Sequence, residues 1–380
     1  MATEGRGDEM TPTELAERIE TGEPVDVLDV RNRDEIDAWR IEGPGVGVTH
    51  VPYVRFLSAS ATGDPASLVD DGPYVVVCPE GEASAEVAAM LEGSGVEAVN
   101  LAGGMEGWAR VYRRDRVAAD ATAATVHQYR RPATGCLAYA VVSAGEAAVV
   151  DPLRAFVDRY REDLRDRDVD LVSVLDTHVH ADHLSGLRNL AAAADATPLV
   201  SEGAAGRGLD GVETVADGDT VAVGDCDLEV LATPGHTTGS ASLRVDDLLL
   251  SGDSLFLEGA PRPDLQKGDD AAPELAEALY GTLTERLAPL PDRTVVAPGH
   301  LPPQAAAAAG PHAARLGDLR ERLAAFTEDR GAFVDRVIHS MGEPPANFER
   351  IVAVNLGRES IDGATAFELE LGPNNCAVDS

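Results

Sequence analysis

Lysine is almost missing: Lys267 is the only one in 380 residues, so arginine supplies nearly all of the 31 basic side chains set against 66 acidic ones. The resulting formal charge of −35 repels nucleic acid and anionic lipid alike, and neither a nucleic-acid nor a membrane partner is expected. Aromatic residues are scarce too, at 4%. An acidic, lysine-poor surface of this kind suits a high-salt, halophilic cytoplasm, where hydration keeps the chain dissolved and salt screens its self-repulsion. No uninterrupted apolar run reaches membrane-spanning length, and the opening "MATEGRGDEMTPTELAERIE" has no apolar signal region. A soluble, cytoplasmic protein is therefore expected. The four cysteines, Cys78, Cys136, Cys226 and Cys376, lie far apart without a C-x-x-C pair, which argues against a disulfide framework or a zinc ribbon. Cys136 and Cys226 sit in apolar strand contexts and read as core; Cys376, in the tail, has no visible role.

The length suits two domains. From about Thr11 to Val111, β-rich runs ("PVDVLDV", "YVVVC", "VEAVNL") alternate with helical patterns such as "ASAEVAAMLEGSG", the rhythm of a small α/β domain with a parallel sheet. Residues 1–111 are assigned to this domain and 112–124, mixing charge with alanine, to a linker. Residues 125–380 form the second domain. There "LAYAVVSAGEAAVVD" reads as a hairpin with Ala144, Gly145 and Glu146 at its turn. Further strands are expected at "LVSVLD", "LEVLAT", "LLLSGD" and "TVVAPGH", with helical patterns at "HLSGLRNLAAAA" and "PELAEALYGTLTERLAPL".

What the second domain does have is a concentration of histidine. "THVHADHLSG" places His178, His180, Asp182 and His183 in a strand-to-helix connection, although the chain has only nine histidines. His236 in "TPGHTTGS", Asp253 in "SGDSLF" and His300 in "APGH" also follow predicted strands, so the strand ends of one sheet would gather all seven side chains at one edge. Imidazole with carboxylate suits zinc or a first-row transition metal, whereas magnesium or calcium calls for an oxygen-rich set. His50, His127, His312 and His339 lack this context and read as structural or exposed.

On the pattern H-x-H-x-D-H, G-H-T, G-D and P-G-H, residues of about 125–371 resemble the metallo-β-lactamase fold, an αββα sandwich with metals at the edge of its paired sheets. In two-metal members the resemblance implies one site at His178, His180 and His236 and another at Asp182, His183 and His300, with Asp253 bridging. The element Arg262-x-Asp264-Leu265-Gln266 and the ending "GEPPANFERIVAVNLG" are similar to persulfide dioxygenases rather than to glyoxalase II. That similarity implies one Fe(II) per chain on His178, His236 and Asp253, with His180, Asp182, His183 and His300 orienting ligands, substrate or water. The substrates would be a small thiol persulfide and dioxygen, giving sulfite and thiol, and Arg262 would bind a substrate carboxylate. The alternative is a glyoxalase II-like thioester hydrolase with two Zn(II). A homo-oligomer is compatible with the sequence.

The first domain resembles rhodanese through "LDVR", "VVVCPEGEAS" and "NLAGGMEGW", which sets Cys78 in the place of a sulfur-carrying cysteine. Ala83 stands where a loop arginine is expected, and Glu80 and Glu82 bring negative charge to a sulfur that prefers positive surroundings. A helix N-terminus would offset part of this. The domain is thus expected either to carry sulfane sulfur on Cys78 or to serve as a docking module.

Overall fold

The computed structural model describes residues 9–117, 120–372 and 377–379; Cys376 lies outside them. The chain divides into two compact units. The first comprises Met1–Arg113 with Arg131–Gly135 and Pro302–Gly310; the second comprises Arg114–Arg130, Cys136–Leu301 and Pro311–Ser380.

The first unit is built on a five-stranded sheet in the order Glu9–Met10, Ala98–Leu101, Tyr74–Val77, Val25–Asp29, Val46–His50. All of its pairings are parallel, as the alternation of strand and helix patterns predicts. Its first helix, Pro12–Thr21, begins where Thr11 accepts from the Glu14 amide and Glu14 accepts from the Thr11 amide, a capping box reinforced by proline in the first turn. The helix Glu82–Gly93 buries Ser84, Val87, Ala88 and Leu91, one stripe of helical period against Leu28, Val76 and Cys78.

The second unit holds a seven-stranded and a six-stranded sheet. In the seven-stranded sheet Leu137–Ser143 and Glu146–Val150 form the expected hairpin, with Ser143 paired to Glu146. Glu146 therefore belongs to the strand, and the turn is two residues, Ala144 and Gly145, both at positive φ (47° and 87°). That is the tight geometry whose twist matches its flanking strands. The stretch 112–124, read from sequence as a linker, contains a strand, Arg113–Arg116, at the edge of this sheet. Its charges escaped a strand reading because edge strands carry charge without cost.

The helix Ala272–Gly281 continues as a π-helical stretch, Thr282–Leu287. Together they bury Leu275, Leu279, Leu283 and Leu287, and all but the first join a core cluster with Leu249, Val296 and Phe333. The proline-flanked alanine run is mostly irregular, with one short helix, Pro303–Ala306, before the helix Leu316–Arg322. No helix among the described residues is long and apolar enough to cross a membrane.

Candidate metal centre

The seven histidines and aspartates do come off strand ends, but from two sheets rather than one. Asp170–Asp176, which leads to His178, His180, Asp182 and His183, lies in the seven-stranded sheet. Cys226–Ala232, Leu248–Gly252 and Val295–Pro298, which lead to His236, Asp253 and His300, lie in the six-stranded one. The glycine of each P-G-H has a steric reason. A Cβ on Gly235 (φ +148°) would lie 2.5 Å from the Leu279 Cα, and one on Gly299 would lie 2.5 Å from Asp253 Oδ1.

All seven side chains are buried, and they fall into three groups. In the first, His178 Nε2 and His236 Nε2 each stand 3.8 Å from Asp253 Oδ2. The far side of every member is pinned. His178 Nδ1 meets Thr177 Oγ1 at 3.0 Å, His236 Nδ1 donates to the Arg262 carbonyl at 2.7 Å, and Asp253 Oδ1 accepts from His300 Nδ1 at 2.8 Å. The carbonyl bond fixes the His236 tautomer and turns its Nε2 lone pair inward. His178 Nε2 and Asp253 Oδ2 are buried without hydrogen-bond partners, a costly state that a shared cation would relieve. Burial, with His180 and His236 nearby, holds the His178 pKa well below the usual histidine range, so the ring is neutral as a ligand must be. This donor set fits a metal ion.

The second group is Cys136, Asp182, His183 and His300, linked through one carboxylate oxygen, with His183 Nε2 buried and without a hydrogen-bond partner. Asp182 Oδ2 accepts from His300 Nε2 at 2.7 Å, His183 Nδ1 at 3.0 Å and Cys136 Sγ at 3.2 Å. His300 thereby bridges two carboxylates. Burial opposes its charge, but Asp253 and Asp182 win and hold its pKa well above the ordinary value. Cys136 is buried in the core, as its apolar context predicts, and its sulfur also joins this polar cluster.

The third group is Asp151, Asp176 and His180. His180 Nε2 meets Asp151 Oδ1 at 3.1 Å, while Asp151 also accepts from the Thr177 amide (2.7 Å) and hydroxyl (2.9 Å). His180 Nδ1 has no partner. Burial pushes the Asp176 carboxyl up to about 6, with His180 opposing. Asp151, which follows the strand Glu146–Val150, was not singled out from sequence. Neither was Asn355, whose Nδ2 donates to the His180 and His183 carbonyls at 2.9 Å each and whose Oδ1 accepts from the Ser185 amide. The only sequence signal for Asn355 is its place in the C-terminal "VNLG".

The Arg262 guanidinium is buried and engaged by Asp264, at 2.8 Å for both Nε–Oδ1 and Nη2–Oδ2, and by the Glu343 and Gly342 carbonyls. Its own carbonyl accepts from His236, and with Asp264 it lines a cleft beside the metal loops.

In the first unit, Cys78 follows the strand Tyr74–Val77. Its Sγ accepts from the Gly81 amide and the Ser84 hydroxyl, both at 3.1 Å. Glu80 and Glu82 are exposed to solvent. The "NLAGGMEGW" segment closes over this loop: Met105 N donates to the Cys78 carbonyl, and a Cβ on Gly104 would lie 2.1 Å from that oxygen. Arg31 of "LDVR" is buried in a forked pair with Asp29.

Comparison with known proteins finds two families along the chain. A family model described as the metallo-beta-lactamase superfamily matches residues 131–300, and one described as a rhodanese-like domain matches residues 11–111. A hydroxyacylglutathione hydrolase of Polaromonas sp. is 39% identical over 41% of this chain and 57% of its own length. The mitochondrial persulfide dioxygenase of Bos taurus is 30% identical over 41% of this chain and 59% of its own. The chain thus spans less than three-fifths of the length of these two relatives. It covers 84% of a probable metallo-hydrolase of Bacillus subtilis, 31% identical over 43% of this chain.

Proposed function

The chain belongs to the metallo-β-lactamase superfamily and carries a rhodanese-like domain at residues 11–111, and from that premise we propose that it is an iron-dependent persulfide dioxygenase. One observation carries the choice. His178, His236 and Asp253 bring two nitrogens and one oxygen together, with buried atoms of His178 and Asp253 left unbonded, whereas in the second group His300 has both ring nitrogens engaged by the carboxylates of Asp253 and Asp182. A single two-histidine, one-carboxylate set is the donor pattern of non-haem ferrous oxygenases. Ferrous iron held there would supply the redox chemistry that zinc lacks, with positions open for a persulfide sulfur and dioxygen. The balanced reaction is R–S–SH + O2 + H2O → R–SH + sulfite + 2 H+.

The chain's own residues supply orientation. Thr177 and the Arg262 carbonyl fix the two ligand imidazoles, and His300 holds Asp253 by its second oxygen. Asp151 holds His180 so that its Nδ1 is available to substrate or water. Cys78, between the Gly81 amide and the Ser84 hydroxyl, would carry the sulfane sulfur that the dioxygenase consumes.

The rival is a two-zinc thioester hydrolase, favoured by the 39% identity to a hydroxyacylglutathione hydrolase. Metal stoichiometry separates the two. Anaerobic loading is expected to give one ferrous ion per chain, lost in Asp253→Ala together with oxygen uptake. Two zinc ions per chain with thioester cleavage, or oxygen uptake retained in Asp253→Ala, would overturn the assignment.

A further inference from the structure

With 66 acidic residues against 31 basic ones, this chain has a carboxylate available for every arginine. Among the buried arginines Arg31 pairs with Asp29, Arg130 with Asp115 and Arg262 with Asp264, while Arg131 donates to the Ala109 carbonyl. Arg207 and Arg358 are a different case. They stand together, Arg358 Nη2 donating to the Arg207 carbonyl at 2.7 Å, yet among the described residues neither has an ion pair. Arg207 is half-buried. Burial first, and then the like charge of Arg358, draw its pKa below the ordinary arginine value. Two adjacent cations, one of them partly removed from water, are unfavourable unless an anion joins them.

The pair is also held in place. Arg188 donates from Nε and Nη2 to the Asp210 carbonyl (3.3 and 3.0 Å) and from Nη1 to the Asn355 carbonyl (3.0 Å). It thereby clamps the segment carrying Arg207 to the end of the helix Phe348–Asn355, just before Arg358. Asn355 in turn staples that helix end to the metal-loop carbonyls of His180 and His183.

Both arginines line a cleft of about 890 Å3 that also contains Leu265, Gln266, Phe348 and Val352. Leu265, Phe348 and Val352 pack with Ala181, which lies between His180 and Asp182. Gln266 binds the Thr238 amide and hydroxyl, two residues beyond His236. The cleft therefore has an apolar wall resting on one metal loop, a polar tie to another, and the arginine pair in its lining. Asp269, Glu343 and Glu349 also line it, but they are solvent-exposed and pair with neither arginine.

We propose that Arg207 and Arg358 form the docking site for a carboxylate of the substrate, so that the reacting sulfur belongs to an acidic thiol derivative with an apolar stem between sulfur and carboxylate. Guanidinium forks match a carboxylate in shape as well as charge. The inference assigns the carboxylate to this pair rather than to Arg262, which lines the same cleft with its guanidinium engaged by Asp264, and it rests on the sulfur-substrate reading above.

The test is calorimetric titration of the iron-loaded full chain, at fixed high ionic strength, with 6-mercaptohexanoic acid and with its amide, which differ only in the carboxylate. The acid is expected to bind about tenfold more tightly, as for a charge-assisted pair. Arg207→Gln and Arg358→Gln should each bring the ratio toward one with iron content unchanged. With the persulfides of the same two compounds, KM for the acid should rise in the variants while kcat holds. Equal affinity for acid and amide in the native protein, or a preference surviving both substitutions, overturns the docking site. Oxygen uptake without the preference removes the site and leaves the dioxygenase reading, whereas the preference without oxygen uptake does the reverse.

Discussion

At the scale of single residues, the molecule separates charges that must be neutralised from charges that already are. Asp182 and Asp253 share the protonated ring of His300, while His178 is kept neutral by burial and by its histidine neighbours. A different histidine offers a cleaner test of how burial controls protonation. His127 lies away from the metal ligands, on the strand Thr125–Arg130. Burial, followed by Arg167, Arg114 and Arg116, lowers its pKa to about 4, with Asp163 opposing. The unfolded chain, with histidine near 6.5, then binds a proton that the folded chain refuses. Between about pH 6.5 and 4 the stability contributed by His127 should fall as pH falls, with the full contribution present above 6.5. Denaturant unfolding of the native protein and of His127→Gln across this window, in constant high salt, checks it. The stability difference between the two should shift against the native protein as the solution is acidified, and a constant difference would contradict the shift.

At the scale of elements, ligands are placed by strand ends and by the glycines that let the chain turn there. Gly235 is the sharpest case, because φ of +148° and a Cβ position 2.5 Å from the Leu279 backbone exclude any side chain. Gly235→Ala should cost at least about 2 kcal/mol, from backbone strain added to overpacking. It should also displace His236, lowering the iron bound per chain; a variant with native melting temperature and full iron content would refute this. The same elements show how much was legible in the sequence. Period and composition were enough for the hairpin at Ala144 and Gly145, and P-G-H and S-G-D were enough to pick out candidate side chains that the fold gathers, because both signals are local. Three things were not local. The strand Arg113–Arg116 looks like linker because its edge position tolerates charge. Cys136 looks like core because its strand is apolar, and only the fold brings Asp182 to its sulfur. The partners of Arg262, from Asp264 to the carbonyls of residues 342 and 343, come from the fold and were not legible in the sequence.

At the scale of the whole molecule, charge and domain content set the conditions for function. A net charge of −35 repels itself over distances that salt controls, with a Debye length of about 10 Å at 0.1 M and 3 Å at 1 M. The melting temperature should therefore rise steadily with potassium chloride from 0.1 to 2 M, and a salt-independent value would argue against adaptation to a saline interior. On the function proposed above, the rhodanese-like domain and the metal-binding domain would serve one sulfur pathway, with Cys78 handling the sulfur that Asp253, His178 and His236 would help to oxidise. The most direct test is oxygen consumption by anaerobically iron-loaded protein, in high salt, on addition of a small-molecule persulfide, with sulfite measured in parallel. The account predicts rapid uptake with one sulfite formed per dioxygen consumed; no uptake from folded protein shown to hold its iron would contradict it.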